Sequence, residues 1–303
     1  MLRSALLYLS GQPSLRRWTE TSSIADRMTK RFVAGQTLED ELVACQRLNR
    51  ENILATVDYL GENVRSLEEA RECRDIYLRA QAEIRARAIR ASVSIKLTQF
   101  GLDFSTEECL ANVDPLVAQA QAMGSRVEID MEHSGYVDRT LEVVTTLHQR
   151  YSSVRAVIQA YLFRSEKDVE MLNVQGIPIR LCKGAYKEPP DLAFPKKTDV
   201  DAAYVRLMQQ MLSSGVDPAI ASHDEKIIRS AQRYVREKNI APDRFEFQML
   251  YGIRRDLQKE LVESGYRLRL YVPYGNAWYP YFMRRLAERP ANVLFLARNL
   301  IRS

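Results

Sequence analysis

The segment IPIRLCKGAY (177–186) carries two cations, Arg180 and Lys183, inside an otherwise apolar run. A strand packed between two layers is almost wholly apolar. Arg180 must therefore point inward or stand at a mouth, and a buried guanidinium needs an anion or an acceptor. An anionic ligand would meet that need, and so would a carboxylate of the same core such as Asp130. Gly184, beside Lys183, lets backbone approach a ligand closely. A second cluster lies in WYPYFMRRLAERPAN (278–292). Tyr281, Arg284, Arg285 and Glu288 fall at i, i+3, i+4 and i+7, so a helix puts all four on one face. Two adjacent guanidiniums with a tyrosine one turn earlier make a clamp for a carboxylate. The plainer reading is a solvated face with an Arg284–Glu288 pair worth a few tenths of a kcal/mol.

These clusters need elements to hold them. Short apolar, β-branched runs recur at 53–60, 91–97, 126–131, 155–162, 177–183, 218–223, 245–250 and 267–273. Amphipathic stretches lie between them at 66–90, 106–123, 137–150, 165–174, 199–214, 224–238 and 254–264, and a last helix is expected at 276–288. Strands alternating with helices imply right-handed βαβ units and a parallel sheet. Eight such units predict a closed (β/α)₈ TIM-like barrel over 51–303, preceded by an N-terminal helical segment over 1–50. An open doubly wound sheet is the alternative, but a dinucleotide site there uses a Gly-rich turn. The chain contains no G-x-G and no G-x-x-x-x-G-K-[ST].

In a barrel the ends of the strands carry the chemistry. From the second onward, the candidate strands end on polar residues: Lys96, Thr98 and Gln99; Asp130, Glu132 and His133; Gln159 and Tyr161; Arg180, Lys183 and Tyr186. The remaining three end on Ser222, His223 and Asp224; Gln248 and Tyr251; and Tyr271 and Tyr274. The loop KEPPDLAFPKK (187–197) follows the fifth strand and would stand above that face.

Composition narrows the class. With 46% hydrophobic and 27% charged residues, the 303-residue chain is globular rather than disordered. Forty-four Lys and Arg against 39 Asp and Glu leave a charge of +5, spread along the chain without a basic tail. That suits small anions or an anionic membrane surface at least as well as nucleic acid. Four cysteines without C-x-x-C spacing and three scattered histidines signal a reducing compartment, no disulfide and no metal site. Residues 1–9 are too short for a targeting signal, so a cytoplasmic location is expected.

The segment RLYVPYGNAWYPYFMRRLAERPAN (269–292) resembles the terminal motif of the proline dehydrogenase family. SIKLTQFG (94–101), EIDMEHS (128–134), IQAYLFRS (158–165), RLCKGAYKE (180–188), ASHDE (221–225) and FEFQMLYGI (245–253) match that family in the same order. The resemblance covers about residues 50–295 and implies a distorted (β/α)₈ barrel that holds FAD with strand ends, its last helix lying over the substrate. It places Arg180 near flavin N5. Gln159 and Gln248 would bond the polar edges of the cofactor. Lys183, Gly184 and Ala185 would lie along its phosphates and ribitol, and His223 near the adenosine half. Asp130, Tyr186, Ser222 and Glu288 would complete the cofactor contacts. Lys96, Arg284 and Arg285 would grip the substrate carboxylate. Leu181, Tyr186, Tyr271 and Tyr281 would wall the pyrrolidine ring. Arg180, Lys96, Asp130 and Tyr271 form the catalytic group that the resemblance implies.

The implied reaction takes L-proline to Δ1-pyrroline-5-carboxylate, with hydride leaving C5 for flavin. Electrons would pass to a membrane quinone from a chain lying in the cytoplasm or against the inner face of the membrane. A separate pyrroline-5-carboxylate (glutamate-semialdehyde) dehydrogenase would take the product, since the chain resembles a monofunctional enzyme. Two other classes remain open on the residues alone. A flavin-free barrel lyase would use Lys96 or Lys183 as a Schiff base. A basic binding module would need a Lys/Arg stripe with aromatics, and none stands out.

Overall fold

The computed structural model describes residues 31–61, 64–279 and 281. Eight parallel strands close into a barrel in sequence order: β1 (Leu54–Tyr59), β2 (Ala91–Ile95), β3 (Val127–Ile129), β4 (Val154–Gln159), β5 (Ile179–Cys182), β6 (Ala219–Ala221), β7 (Glu246–Leu250) and β8 (Leu268–Tyr274). The barrel closes where β1 pairs with β8, Leu54 opposite Arg269 through Tyr59 opposite Tyr274. Helix α1 (Leu38–Arg50) precedes β1. The crossovers are α2 (Leu67–Ala86), α3 (Thr106–Ala122), α4 (Val137–Arg150), α5 (Ser165–Val174), α6 (Lys197–Ser214), α7 (Glu225–Glu237) and α8 (Arg255–Glu263). The predicted (β/α)₈ architecture is the one observed.

Helix starts are set by side chains. Thr37 caps α1 in a reciprocal capping box with Asp40, and Ser66, Ser105 and Asp224 accept backbone N–H groups at the starts of α2, α3 and α7. Between residues 31 and 50 only α1 is helical, a shorter stretch than the periodicity suggests. Its Leu42, Cys45 and Leu48 share the main hydrophobic cluster with the barrel. The helix expected over 66–90 stops at Ala86, because Ala88 takes a left-handed φ of 50°. After β2 a 3₁₀ turn (Leu97–Phe100) replaces the expected extension of the strand.

The strands alternate rather than running apolar throughout. Val57, Val93, Ile129, Ile158, Leu181, Phe247 and Leu270 are buried in the main hydrophobic cluster. Their neighbours face the barrel axis, where Thr56, Ser92, Glu128, Arg155, Arg180, Glu246 and Arg269 join one polar layer. The assumption of wholly apolar strands fails because the interior of this barrel is held by ion pairs. Arg155 is completely buried, with Nη1 2.5 Å from Glu246 and Nη2 2.7 Å from Asp217. Removing one partner from such a pair costs about 3–5 kcal/mol, since the other charge stays buried.

Candidate active site

A cavity of about 1290 Å³ opens at the C-terminal ends of the strands. Among the described residues, eight Lys and Arg side chains line it against four Asp and Glu, a balance that favours an anionic ligand. Its floor is built on Asp130, just past the end of β3. The carboxylate of Asp130 accepts from Arg180 on β5, from Ser94 Oγ at 2.8 Å and from the Tyr271 hydroxyl at 2.9 Å. Lys96 Nζ stands 3.6 Å from Asp130 and 3.6 Å from Asp58. The Arg180 guanidinium lies 5.4 Å from the centre of the Tyr271 ring, within cation–π range.

Electrostatics fix the protonation of this group. Burial pushes the Asp130 carboxyl up, but Arg180, Lys96 and the bonds from Ser94 and Tyr271 outweigh it and hold it below the usual carboxylate value. Burial disfavours the Arg180 cation, and Asp130 and Glu128 together reverse that, so the guanidinium is held more firmly than usual. Burial first, then Asp130, keeps the Tyr271 hydroxyl protonated well beyond its ordinary range. The Cys182 thiol, buried beside Arg180, is pushed up to about 11 and stays neutral.

The rest of the cavity is supplied by loops and α7. Lys183 Nζ meets Asp201 at 2.5 Å and Asp224 at 2.8 Å, which ties the end of β5 to the start of α7. A lyase nucleophile needs a free lone pair, and this lysine is already engaged by two carboxylates. Gly184 has φ +110°, and a Cβ there would sit 2.3 Å from the Tyr161 ring, so only glycine lets the chain turn past that ring. The Gln159 amide donates to the backbone of Glu132 at 2.8 Å. His223 Nε2 accepts from the Leu250 amide at 2.8 Å, and Ser222 Oγ accepts from the Asp224 amide at 3.1 Å. Gln248 donates to Glu246 at 2.7 Å beneath the floor.

Of the residues singled out in the sequence, the fold brings Lys96, Asp130, Gln159, Arg180, Lys183, Gly184, Ala185, Tyr186, Ser222, His223, Gln248, Tyr271 and Tyr281 around this one cavity. Leu181 is a correction. It alternates with Arg180 and Cys182, both of which line the cavity, so its side chain turns to the helix layer and is fully buried in the hydrophobic cluster. Thr98 and Gln99 are spent on structure, Thr98 donating to Glu132 at 2.8 Å and Gln99 to the Tyr59 carbonyl at 3.0 Å. Arg180 pairs with the core carboxylates Asp130 and Glu128 and also lines the cavity. Arg284, Arg285 and Glu288 lie outside the described residues, so of the clamp face only Tyr281 is placed, on the cavity wall.

Sequence reasoning missed Asp58 and Glu128. Asp58 is the one charge in the run ILATVDYL, the same signal that marked Arg180, and it lines the cavity beside Lys96. Glu128 sits mid-strand under Arg180, where no strand-end rule would look.

The family model described as Proline dehydrogenase matches residues 42–298. Proline dehydrogenase 1 of Bacillus subtilis (strain 168) is 40% identical over 303 residues, covering 100% of each chain. Proline dehydrogenase of Deinococcus radiodurans is 39% identical over 307 residues, covering 100% of this chain and 98% of its own. Among solved structures, proline utilization A (PutA) from Bdellovibrio bacteriovorus, inactivated by N-propargylglycine, is similar with a TM-score of 0.82 at 28% identity. That match covers 87% of this chain and 33% of PutA, so the chain spans about a third of that protein's length. A closed parallel barrel, a strand-end cavity rich in cations and full-length identity to proline dehydrogenases agree: the chain belongs to the proline dehydrogenase family of oxidoreductases.

Proposed function

We propose that this chain oxidises L-proline to Δ1-pyrroline-5-carboxylate with FAD as hydride acceptor, the first step in degrading proline to glutamate, and that its electrons pass to a membrane quinone. The observation that carries this reading is the floor of the cavity, where Lys96, Asp130, Arg180 and Tyr271 meet in one charge-paired group.

The residues present fit a flavin dinucleotide. The cavity exceeds the roughly 300–1,000 Å³ of ordinary small-ligand pockets. Its cation excess suits a pyrophosphate, and Lys183 and Gly184 line it side by side. Arg180, Gln159 and Gln248 would hold the ring system with support from Asp130. Lys183, Gly184, Ala185 and Tyr186 would follow the phosphates and ribitol, and Ser222 and His223 the nucleoside end. When bound, FAD supplies the two-electron redox chemistry that no side chain can.

The chain's own work is orientation and electrostatics. Lys96, mostly buried between Asp58 and Asp130, is the described cation that would pair with the proline carboxylate. Tyr271 and Tyr281 would wall the pyrrolidine ring, with Tyr186 at the more exposed edge. Arg180 would offset the negative charge gained on reduction, and the Tyr271 hydroxyl, held protonated, donates to the Asp130 carboxylate. Proline that binds with a neutral amine needs no side-chain base. The product, in equilibrium with an aldehyde, would pass to a separate pyrroline-5-carboxylate dehydrogenase. Among the described residues no helix is long and apolar enough to cross a membrane, so quinone would be met at a membrane surface.

The test is proline-dependent reduction of an artificial electron acceptor by the purified protein, with release of the cyclic imine. Turnover that is equal without added or bound FAD would refute the cofactor; no turnover on proline with FAD loaded would refute the substrate.

A further inference from the structure

Below the floor of the cavity, Glu128 on β3 is completely buried. Its Oε2 accepts from Arg180 Nη1 at 2.9 Å and from Gln248 at 3.2 Å. Its Oε1 lies 3.4 Å from Arg155 Nη1 and 3.4 Å from Ser92 Oγ. Arg155 is in turn held by Glu246 and Asp217, and Arg269 reaches Glu246 at 2.9 Å. Glu128 therefore joins two systems: the ion-pair layer of the barrel interior and the Arg180 cation on the cavity floor. Arg180 faces two carboxylates, Asp130 and Glu128. Asp130 also meets Lys96 and Tyr271 and is turned toward the cavity, whereas Glu128 is turned away from it. A buried carboxylate beneath a cation does two things. It holds the guanidinium at one height, and it cancels part of that cation's field where a ligand would feel it. In a poorly hydrated interior such a charge acts over several ångströms with little screening.

We infer that Glu128 is a positioning residue for Arg180 and that its charge sets the reduction potential of a flavin bound on the cavity floor. The inference rests on the FAD reading given above. Its sign is fixed. Removing the negative charge of Glu128 leaves the Arg180 cation less compensated, so a reduced, more negative flavin is stabilised and the potential rises. A residue that only fills space would show no such shift.

The experiment compares flavin-loaded wild type, Glu128→Gln, Glu128→Asp and Glu246→Gln by spectroscopic redox titration, with proline turnover measured alongside. Glu128→Gln keeps the volume and an acceptor oxygen while losing the charge. The expected result is a shift of about tenfold in the reduction equilibrium toward reduced flavin, ~30 mV for a two-electron couple. Glu246→Gln removes an equally buried charge that does not touch Arg180, so a clearly smaller shift is expected there. Glu128→Asp keeps the charge but withdraws it by one methylene. Its potential should stay within about twofold in the equilibrium, while kcat falls about tenfold and the proline KM changes less than about threefold. Glu128→Gln with full flavin and an unmoved potential overturns the inference alone. If that variant does not fold, Glu128→Asp decides, and an unchanged kcat there overturns it. A wild type that takes up no flavin refutes the FAD reading and the inference with it.

Discussion

Replacing Lys96 with Met keeps the length and apolar stem of the side chain and removes its charge. Lys96 is only 13% exposed and stands 3.6 Å from each of two carboxylates. In the proposed complex its ammonium makes a charge-assisted hydrogen bond to the proline carboxylate, worth about 1.5–3 kcal/mol. At about 1.4 kcal/mol per decade, the loss raises KM for proline by about tenfold to a hundredfold. The true figure should fall toward the upper end, because Asp58 and Asp130 are left facing the incoming carboxylate with one cation fewer. The flavin should remain bound, since Arg180, Gln159 and the end of β5 are untouched. The assay is steady-state proline oxidation with an artificial acceptor, with FAD content measured in both proteins. A KM within twofold of wild type at full FAD would show that the carboxylate is gripped elsewhere and that Lys96 only neutralises the floor.

Three further outcomes follow from the same geometry. Arg180→Met removes the cation proposed to face a bound flavin, so proline oxidation should fall at least tenfold and the flavin potential should drop; redox titration checks it, and an unshifted potential refutes the role. Gly184→Ala puts a Cβ against the Tyr161 ring at a φ of +110°, so it should cost about 1–3 kcal/mol and release flavin; a melting temperature within about 1 °C of wild type with full FAD would contradict it. Asp130, Asp217 and Glu246 are all held below the usual carboxylate value, burial opposing and neighbouring arginines prevailing. They bind protons less readily folded than unfolded, so their stabilisation is complete above the unfolded value and lost as pH falls through the lowered folded ones. Thermal melts should drop steeply below about pH 4, while Glu41, pushed well up by burial, acts in the opposite sense and gains stability as pH falls through its raised folded value.

The barrel was legible because its two periodicities are clean. Each candidate strand overlaps its observed strand, and the runs differ mainly where a strand end bends into a loop, as at Leu97 and Met131. Arg180 stood out because one charge interrupted an apolar run. Asp58 carries the same mark in β1, but it lies within the strand rather than past its end, where a strand-end rule does not reach. Glu128, Arg155, Glu246 and Arg269 were hidden for a different reason. Alternation of polar and apolar residues is the sign of a half-exposed strand, so nothing in one chain distinguishes a solvent-facing charge from one turned into a barrel axis. Pairing across strands decides it: β3 places Glu128 beside Arg155, and only closure of the barrel brings Glu246 and Arg269 to the same layer. The resemblance places Leu181 at the pocket, but alternation along β5 turns it away from its cavity-lining neighbours Arg180 and Cys182.

The most direct test of the central claim is an anaerobic titration of the flavin-loaded protein with L-proline, followed by absorbance. The account predicts that the flavin bands bleach as proline is added, that the imine product appears in step with the bleaching, and that Arg180→Met bleaches far more slowly at equal FAD content. Flavin bands that stay unchanged at saturating proline, in a protein shown to be folded and loaded, would contradict it.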